Sequence, residues 1–171
     1  MIYYVDTEFS ENGSGIELIS FGMVAEDGRE FYRECSEYDA VRCSAWVRSE
    51  VLSKLAGKKP KTLDEIRQDL LDFIGNDRHP RFVAYVAAYD RLCMASLFGG
   101  MHRLPEEYPH YIWDLRQWLD DMHIDRVPRL KRKGRHHALE DAKWLRDVCD
   151  SLRVTQGLVI PPNNHKKGKK C

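Results

Sequence analysis

Two carboxylates, Asp6 and Glu8, stand one residue apart behind Ile2, Tyr3, Tyr4 and Val5, a run of β-formers with no turn residue among them. On a strand, residues i and i+2 share a face, so the two acids lie side by side while Thr7 turns away. Like charges that close repel, and burying either is costly unless a cation or a proton compensates. A third acid, Asp90, follows "RFVAYVAA". That segment is apolar on both faces, as in a central strand covered by helices. If the two strands are parallel neighbours, all three acids meet at their carboxyl ends, where α/β sheets present ligand-binding side chains.

A fourth acid comes from "HALEDAKWLRDVCDSL", which reads as the last helix. At 100° per residue, Ala138, Ala142, Leu145, Val148, Cys149 and Leu152 share one apolar arc, and Asp141 falls inside it. Lys143, Arg146, Asp147 and Asp150 take the opposite, solvated side. A carboxylate in a core-facing stripe needs something positive to meet it, either a basic neighbour or a metal. Four converging oxygen ligands favour Mg²⁺ or Mn²⁺. Two such ions about 3.5–4 Å apart can clamp the attacking and leaving oxygens of a phosphodiester. The metal ligands expected from the residues are therefore Asp6, Glu8, Asp90 and Asp141.

Two histidines adjoin this helix. His137 is four residues before Asp141 and, if helical, shares its face. His136, if helical, points well away and reaches the site only from the preceding loop. Either could be a general base near neutral pH, and spacing alone mildly prefers His137. Arg129, Lys131, Arg132, Lys133 and Arg135 crowd that loop, and basic side chains beside an acidic metal site suit a polyphosphate backbone. Phe9, Tyr89 and Trp113 are aromatic positions that could stack on a terminal base.

The elements that must position these groups are readable in outline. "IELISFGMVAED" and "REFYREC" are strands joined at Asp27–Gly28, a hairpin dipeptide. "SAWVRSEVLSKL" has helical spacing that Gly57 would end. "KTLDEIRQDLLDFIG" is a helix with a Thr62/Glu65 capping box and Gly75 at its end. "YDRLCMASLFGG" begins a helix near Asp90, and Asp114 is placed as an N-cap in "YIWDLRQWLDDMH". The expected fold is an α/β domain with a mixed sheet.

At 171 residues the chain is most simply one domain with a real core. No apolar run approaches the roughly 18 residues of a membrane helix, and no secretory signal is visible. The five cysteines are scattered, which points to reduced thiols in a cytoplasmic setting and not to a disulfide framework or a structural zinc site. A net charge of zero hides a gradient. Residues 1–50 carry 4 Lys/Arg against 11 Asp/Glu, and residues 129–171 carry 12 against 4. An acidic region could hold cations and a basic one phosphates.

"DTEF", "AYD" after the buried strand, and "HHALEDA" on the last helix resemble the three motifs of the DEDDh 3′–5′ exonucleases. "WDLRQWL" resembles the helix start that many members place between the second and third. "IELISFGMVAEDGREFY", "AWVRSEVLSKL" and "VAAYDRLCMASLFG" are similar to the mycobacterial-type 3′–5′ exoribonuclease branch, related to ribonuclease T. The resemblance implies a ribonuclease H-like fold with helices around a five-stranded mixed sheet. Residues 1–155 would form the exonuclease domain and residues 156–171 a disordered basic tail. Carried onto this sequence, Asp6, Glu8, Asp90 and Asp141 are metal ligands for two Mg²⁺, with Mn²⁺ able to substitute and Asp6 bridging. The third-motif pattern fits His136, Ala138 and Asp141, which makes His136 the general base against the preference from spacing. The reaction implied is stepwise hydrolysis from a 3′ end of single-stranded RNA or 3′ overhangs, with DNA as the alternative, releasing nucleoside 5′-monophosphates. Phe9, Arg132, Lys133 and Arg135 are the substrate-contact candidates, and a homodimer is plausible by the same resemblance. One departure is visible: "AAYDRL" has no Asn ahead of its acid. A nucleic-acid-binding module without catalysis, and a metal-dependent phosphatase or endonuclease, are the competing classes.

Overall fold

β1 (Ile2–Glu11) sits at the centre of a five-stranded sheet, flanked by β2 (Ile16–Ala25) on one side and β4 (Arg81–Ala84) on the other. In this computed structural model, which describes residues 1–11, 13, 15–57 and 59–163, the strand order is β3-β2-β1-β4-β5. β3 is Glu30–Glu34 and β5 is Trp113–Asp114. β1–β2 and β2–β3 are antiparallel, whereas β1–β4 and β4–β5 are parallel. This is the ribonuclease H-like mixed sheet expected from the sequence.

Helices cover both faces. α2 (Leu63–Ile74) and α3 (Ala88–Leu97) pack with Tyr3, Val5, Phe21, Met23 and Phe31. α4 (Leu115–Asp121) and α5 (Ala138–Gln156) pack with Ile2, Tyr4 and Val83. Alternation along β1 thus assigns its odd residues to the α2/α3 side and its even residues to the α5 side. Asp6 and Glu8 inherit the α5 side, and Thr7 the α3 side.

Local signals behave as their chemistry requires. Thr62 and Glu65 form a complete capping box at the start of α2. Gly28, at φ +90°, closes the β2–β3 hairpin with its N–H donating to the Ala25 carbonyl at 2.9 Å. On α5, all six residues of the expected apolar arc are buried, and Asp141 is buried with them. Cys35, Cys43, Cys93 and Cys149 are free and buried. Among the described residues no helix is long and apolar enough to cross a membrane.

Three expectations need correcting. The "SAWVRSEVLSKL" segment is not one helix: α1 (Ala45–Glu50), capped by the Ser44 hydroxyl, gives way to a 3-10 turn over Leu52–Lys54. The buried strand stops at Ala84, and Asp90 does not end it but lies in the first turn of α3. Packing also continues beyond residue 156. Gly157 ends α5 in the left-handed conformation, after which Leu158 and Ile160 bury themselves in the α4/α5 core. A tail beginning at 156 is therefore too early, because these two aliphatic side chains gain more from the core than from water. Residues 164–171, where the basic tail was expected, lie outside the described residues.

The seating of α5 depends on Gly22. This residue pairs with Asp6 in the β1–β2 register. A Cβ added to it would lie 2.2 Å from the Ala138 carbonyl carbon and 2.4 Å from the Leu139 nitrogen. Backbone meets backbone there, which only glycine allows. Gly22→Ala should push the start of α5 off the sheet. Such overpacking costs about 1–3 kcal/mol or more, at about 2–4 °C per kcal/mol for a chain of this size. The expected fall in melting temperature is about 2–12 °C, and a variant as stable as the parent would show that the helix yields without cost.

Candidate metal and catalytic site

β1 is ten residues long and β4 four, so the β4-side edge of β1 lies open beyond the pairing of Tyr4 with Val83. Asp90 fills that gap. Its Oδ1 accepts from the Thr7 backbone N–H and from the Thr7 hydroxyl, both at 2.8 Å. An acid from one face of the sheet is thereby pinned beside two acids from the other. Thr7, the residue that turns away from Asp6 and Glu8, is what ties Asp90 to them.

α3 has no capping side chain of its own. Asp114 serves instead, accepting from the backbone N–H groups of Val86 (3.2 Å) and Ala87 (2.8 Å) while also capping α4 through Arg116 (2.8 Å). Val86, just before "AAYDRL", has φ +61° and is half exposed. A β-branched residue in the left-handed region is strained, and the two Asp114 bonds hold the turn in place.

On the other side, α5 presents Asp141. Its Oδ1 accepts from Arg132 Nε at 2.6 Å and its Oδ2 from the His136 backbone N–H at 2.9 Å. Arg132 is steadied by Trp144, with the guanidinium carbon 4.6 Å from the ring centroid. The carboxylate in the apolar stripe thus has its cation. It is the only one of the four so served: among the described residues none of Asp6, Glu8 and Asp90 is ion-paired.

Asp6, Glu8, Phe9, Trp46, Arg132, His136 and Asp141 are among the residues lining a cavity of about 520 Å³, whereas Asp90 is not. Oxygens of Glu8 and Asp141 and a ring nitrogen of His136 all fall within 4.8 Å of one another, close enough to share an ion. The two histidines part company. His136, at φ +63°, faces the cavity with the Trp46 ring edge-on to it, centroids 5.0 Å apart. His137 is the N-cap residue of α5 and stacks on Tyr32 at 4.5 Å, its Nδ1 buried without a partner. The preference from spacing for His137 therefore fails, because neither histidine is helical.

Of the substrate-contact candidates, Phe9 and Arg132 line the cavity, with Phe9 stacked on Tyr89 at 4.8 Å. Lys133 and Arg135 are exposed on the same loop and do not line it. Trp113 packs near Trp118, away from the cavity. Sequence reasoning missed Thr7, Gly22, Trp46 and Lys54. A signal existed for Gly22, since a glycine inside an apolar strand marks close backbone approach. None existed for Lys54, whose partner is far along the chain.

The electrostatics are those of a site short of positive charge. Burial first, then the charges of Asp90, Asp141 and Glu8, push the Asp6 carboxyl well above its ordinary range, with Arg132 opposing. Burial, followed by Asp141 and Asp90, raises Glu8 to about 7. Burial raises Asp90 to about 7 although both Thr7 bonds pull it down. His136 moves the other way, lowered by burial and by the nearby cations Arg135 and Lys54. The donor set is one a hard divalent cation fits: three uncompensated carboxylates, a fourth, and an imidazole.

With the geometry in place, comparison with known proteins is informative. Residues 1–152 match the family described as the 3′–5′ exoribonuclease Rv2179c-like domain. The chain belongs to that family. Two relatives, the 3′–5′ exoribonuclease Rv2179c of Mycobacterium tuberculosis strain ATCC 25618 / H37Rv and the 3′–5′ exoribonuclease MT2234.1 of strain CDC 1551 / Oshkosh, are each 42% identical over 149 residues, covering 84% of this chain and 88% of theirs. Among solved structures, S. pombe Pop2p in a Mg²⁺- and Mn²⁺-bound form superposes with a TM-score of 0.63 at 12% identity, covering 91% of this chain and 84% of that one. At that identity the likeness is one of fold.

A stability test follows from the raised carboxyls. In the unfolded chain they titrate near about 4, whereas Glu8 and Asp90 in the folded chain titrate about 7 and Asp6 well above its usual range. Between those values the folded protein holds more protons than the unfolded one, so stability falls as pH rises. His136, lowered, acts in the opposite sense, one group against three. The chelator-treated protein should therefore melt at a lower temperature at pH 8 than at pH 5, and Glu8→Gln should flatten the slope. A melting temperature that climbs steadily over that range would contradict the assignment.

Proposed function

We propose that this protein is a DEDDh 3′–5′ exoribonuclease that removes nucleotides one at a time from the 3′ end of single-stranded RNA. The observation that carries the reading is the acid cluster: Asp6, Glu8, Asp141 and His136 line one cavity, Asp90 is tied to the strand beside them through Thr7, and among the described residues Arg132 is the sole cation ion-paired to any of the four acids. The names of the Mycobacterium relatives support the direction and the substrate class. The Pop2p likeness supports a fold compatible with Mg²⁺ or Mn²⁺.

In this reading Asp6, Glu8, Asp90 and Asp141 would hold two Mg²⁺, for which Mn²⁺ could substitute. When bound, the ions supply the positive charge that stabilises the attacking and leaving oxygens of the phosphodiester. The protein's own groups do the rest. His136, kept unprotonated at neutral pH by its lowered pKa, takes the proton from the attacking water. Water adds its oxygen to phosphorus, the P–O3′ bond breaks with its electron pair going to O3′, and O3′ takes a proton from solvent, so that the shortened strand keeps a 3′-hydroxyl while a nucleoside 5′-monophosphate departs. Phe9 and Trp46 offer apolar walls for the terminal base. Arg132 lies at the cavity wall to face phosphate, with Lys133 and Arg135 outside along the approaching strand.

The decisive assay follows a 5′-labelled single-stranded RNA in Mg²⁺ or Mn²⁺, beside a circular RNA of the same sequence. The expected result is a ladder shortening from the 3′ end, monophosphate release, an untouched circle, and loss of at least about 10³-fold in Asp6→Asn. Cutting of the circle would replace the exonuclease with an endonuclease, and equal turnover of DNA would remove the preference for RNA. Salt-sensitive binding without any monophosphate would leave a binding module.

The histidines give a sharper check. His136→Ala should lose about 10²–10⁴-fold in kcat, with metal affinity little changed. His137→Ala should lose less than about 10-fold while lowering the melting temperature, since its ring is packing and not chemistry. The reverse order would reassign the base.

A further inference from the structure

The peptide unit joining Arg135 to His136 is held at both ends. Its N–H, on His136, donates to Asp141 Oδ2 at 2.9 Å. Its carbonyl, on Arg135, accepts from Lys54 Nζ at 2.5 Å. Lys54 closes the 3-10 turn Leu52–Lys54, and its ammonium also lies 3.6 Å from the Glu50 carboxylate.

The loop needs such a hold. Gly134 and His136 have φ of +61° and +63°. For histidine that conformation is one that surrounding structure must over-determine if it is to persist. Fixing both polar atoms of one peptide fixes its plane, and with it the direction in which the His136 side chain leaves the backbone.

The anchor is itself rigid. Glu34, buried on β3, accepts from the N–H groups of Ala56 and Gly57 at 2.7 and 2.9 Å, which pins the chain just after Lys54. At the other end of the segment the Ser44 hydroxyl caps α1 at Val47 N–H, 3.1 Å. Trp46, between these pins, meets the His136 ring edge-on. One segment, residues 44–57, thus touches the histidine's ring and its backbone together.

We propose that Lys54 is a positioning residue for His136: its ammonium, bound to the Arg135 carbonyl, holds the loop so that the imidazole faces the acid cluster. The proposal rests on the exoribonuclease reading for its effect on turnover, though not for the tether itself. Lys54 acts through the backbone of the base and is not a ligand of the phosphate.

The test uses the full chain with Lys54→Met, Lys54→Ala and Lys54→Arg. Hydrogen exchange of the 131–137 amides, measured without substrate or metal, should quicken in the Met and Ala variants and return toward the parent in the Arg variant, which keeps a donor. On a short single-stranded RNA, kcat should fall about 10- to 100-fold, the cost of a small misplacement of a reacting group. KM and Mn²⁺ affinity should change less than about threefold. Lys54→Arg should recover most of the loss. Unchanged exchange in both Met and Ala variants would overturn the tether even with an active parent enzyme. A loss carried by KM, with a shallower salt dependence of binding, would make Lys54 a phosphate contact and overturn the proposal as well. Quickened exchange with an inactive parent enzyme would uphold the tether and sink the exoribonuclease reading instead.

Discussion

Mutual repulsion among four carboxylates is the constraint around which this molecule is arranged. Asp6 feels Asp90, Asp141 and Glu8 at once, and no arrangement of that kind lowers the energy of the isolated protein. A flexible scaffold would let the groups swing apart into water. This one prevents it by bringing each acid in on a different rigid element. Asp6 and Glu8 belong to the central strand, Asp141 to a long helix on one face, and Asp90 to a helix on the other. Consistency between local signals and overall fold is broken at this point and nowhere so sharply elsewhere, as expected where a site is maintained at the expense of stability.

Two small features make the convergence close. Gly22, opposite Asp6 on β2, lets the backbone at the start of α5, the helix that carries Asp141, touch the sheet. Thr7 offers both its N–H and its hydroxyl to Asp90 where β4 has ended and β1 would otherwise carry an unpaired donor. The same bonds solve a backbone problem and a site problem. Arg132 belongs to this group as well. A buried carboxylate in an apolar stripe is expensive, and a guanidinium seated on Trp144 supplies a counter-charge with its own packing. It ion-pairs with that one acid, and among the described residues the other three have no ion-pair partner.

Much of this was legible in the sequence because it is periodic or local. The α5 arc exposed Asp141 as a carboxylate among apolar positions, the capping box fixed the start of α2, and the Asp27–Gly28 hairpin is where its dipeptide put it. The unalternating "RFVAYVAA" marked the buried parallel strand β4, although its last residues are spent on a turn and on the start of α3. What escaped is non-local. No spacing rule says that Asp90 arrives from the opposite face, because the Thr7 bonds that hold it join positions far apart. Nothing in its sequence neighbours sets Lys54 apart, because its partner lies 81 residues away. Leu158 and Ile160 were disguised by the prolines and lysines that follow them.

The neighbouring histidines show how a sound rule misleads when its premise lapses. Turning 100° per residue back from Asp141 puts His137 on the same face, but the rule holds only inside a helix. α5 begins at Ala138, and His137, its N-cap, has the extended dihedrals of −130° and 110° that caps adopt. From there its ring leaves toward Tyr32 on β3. His136 has a left-handed backbone, φ +63°, and its side chain lines the cavity. Capping geometry, not helical phase, therefore separates the packing histidine from the one that faces the acids.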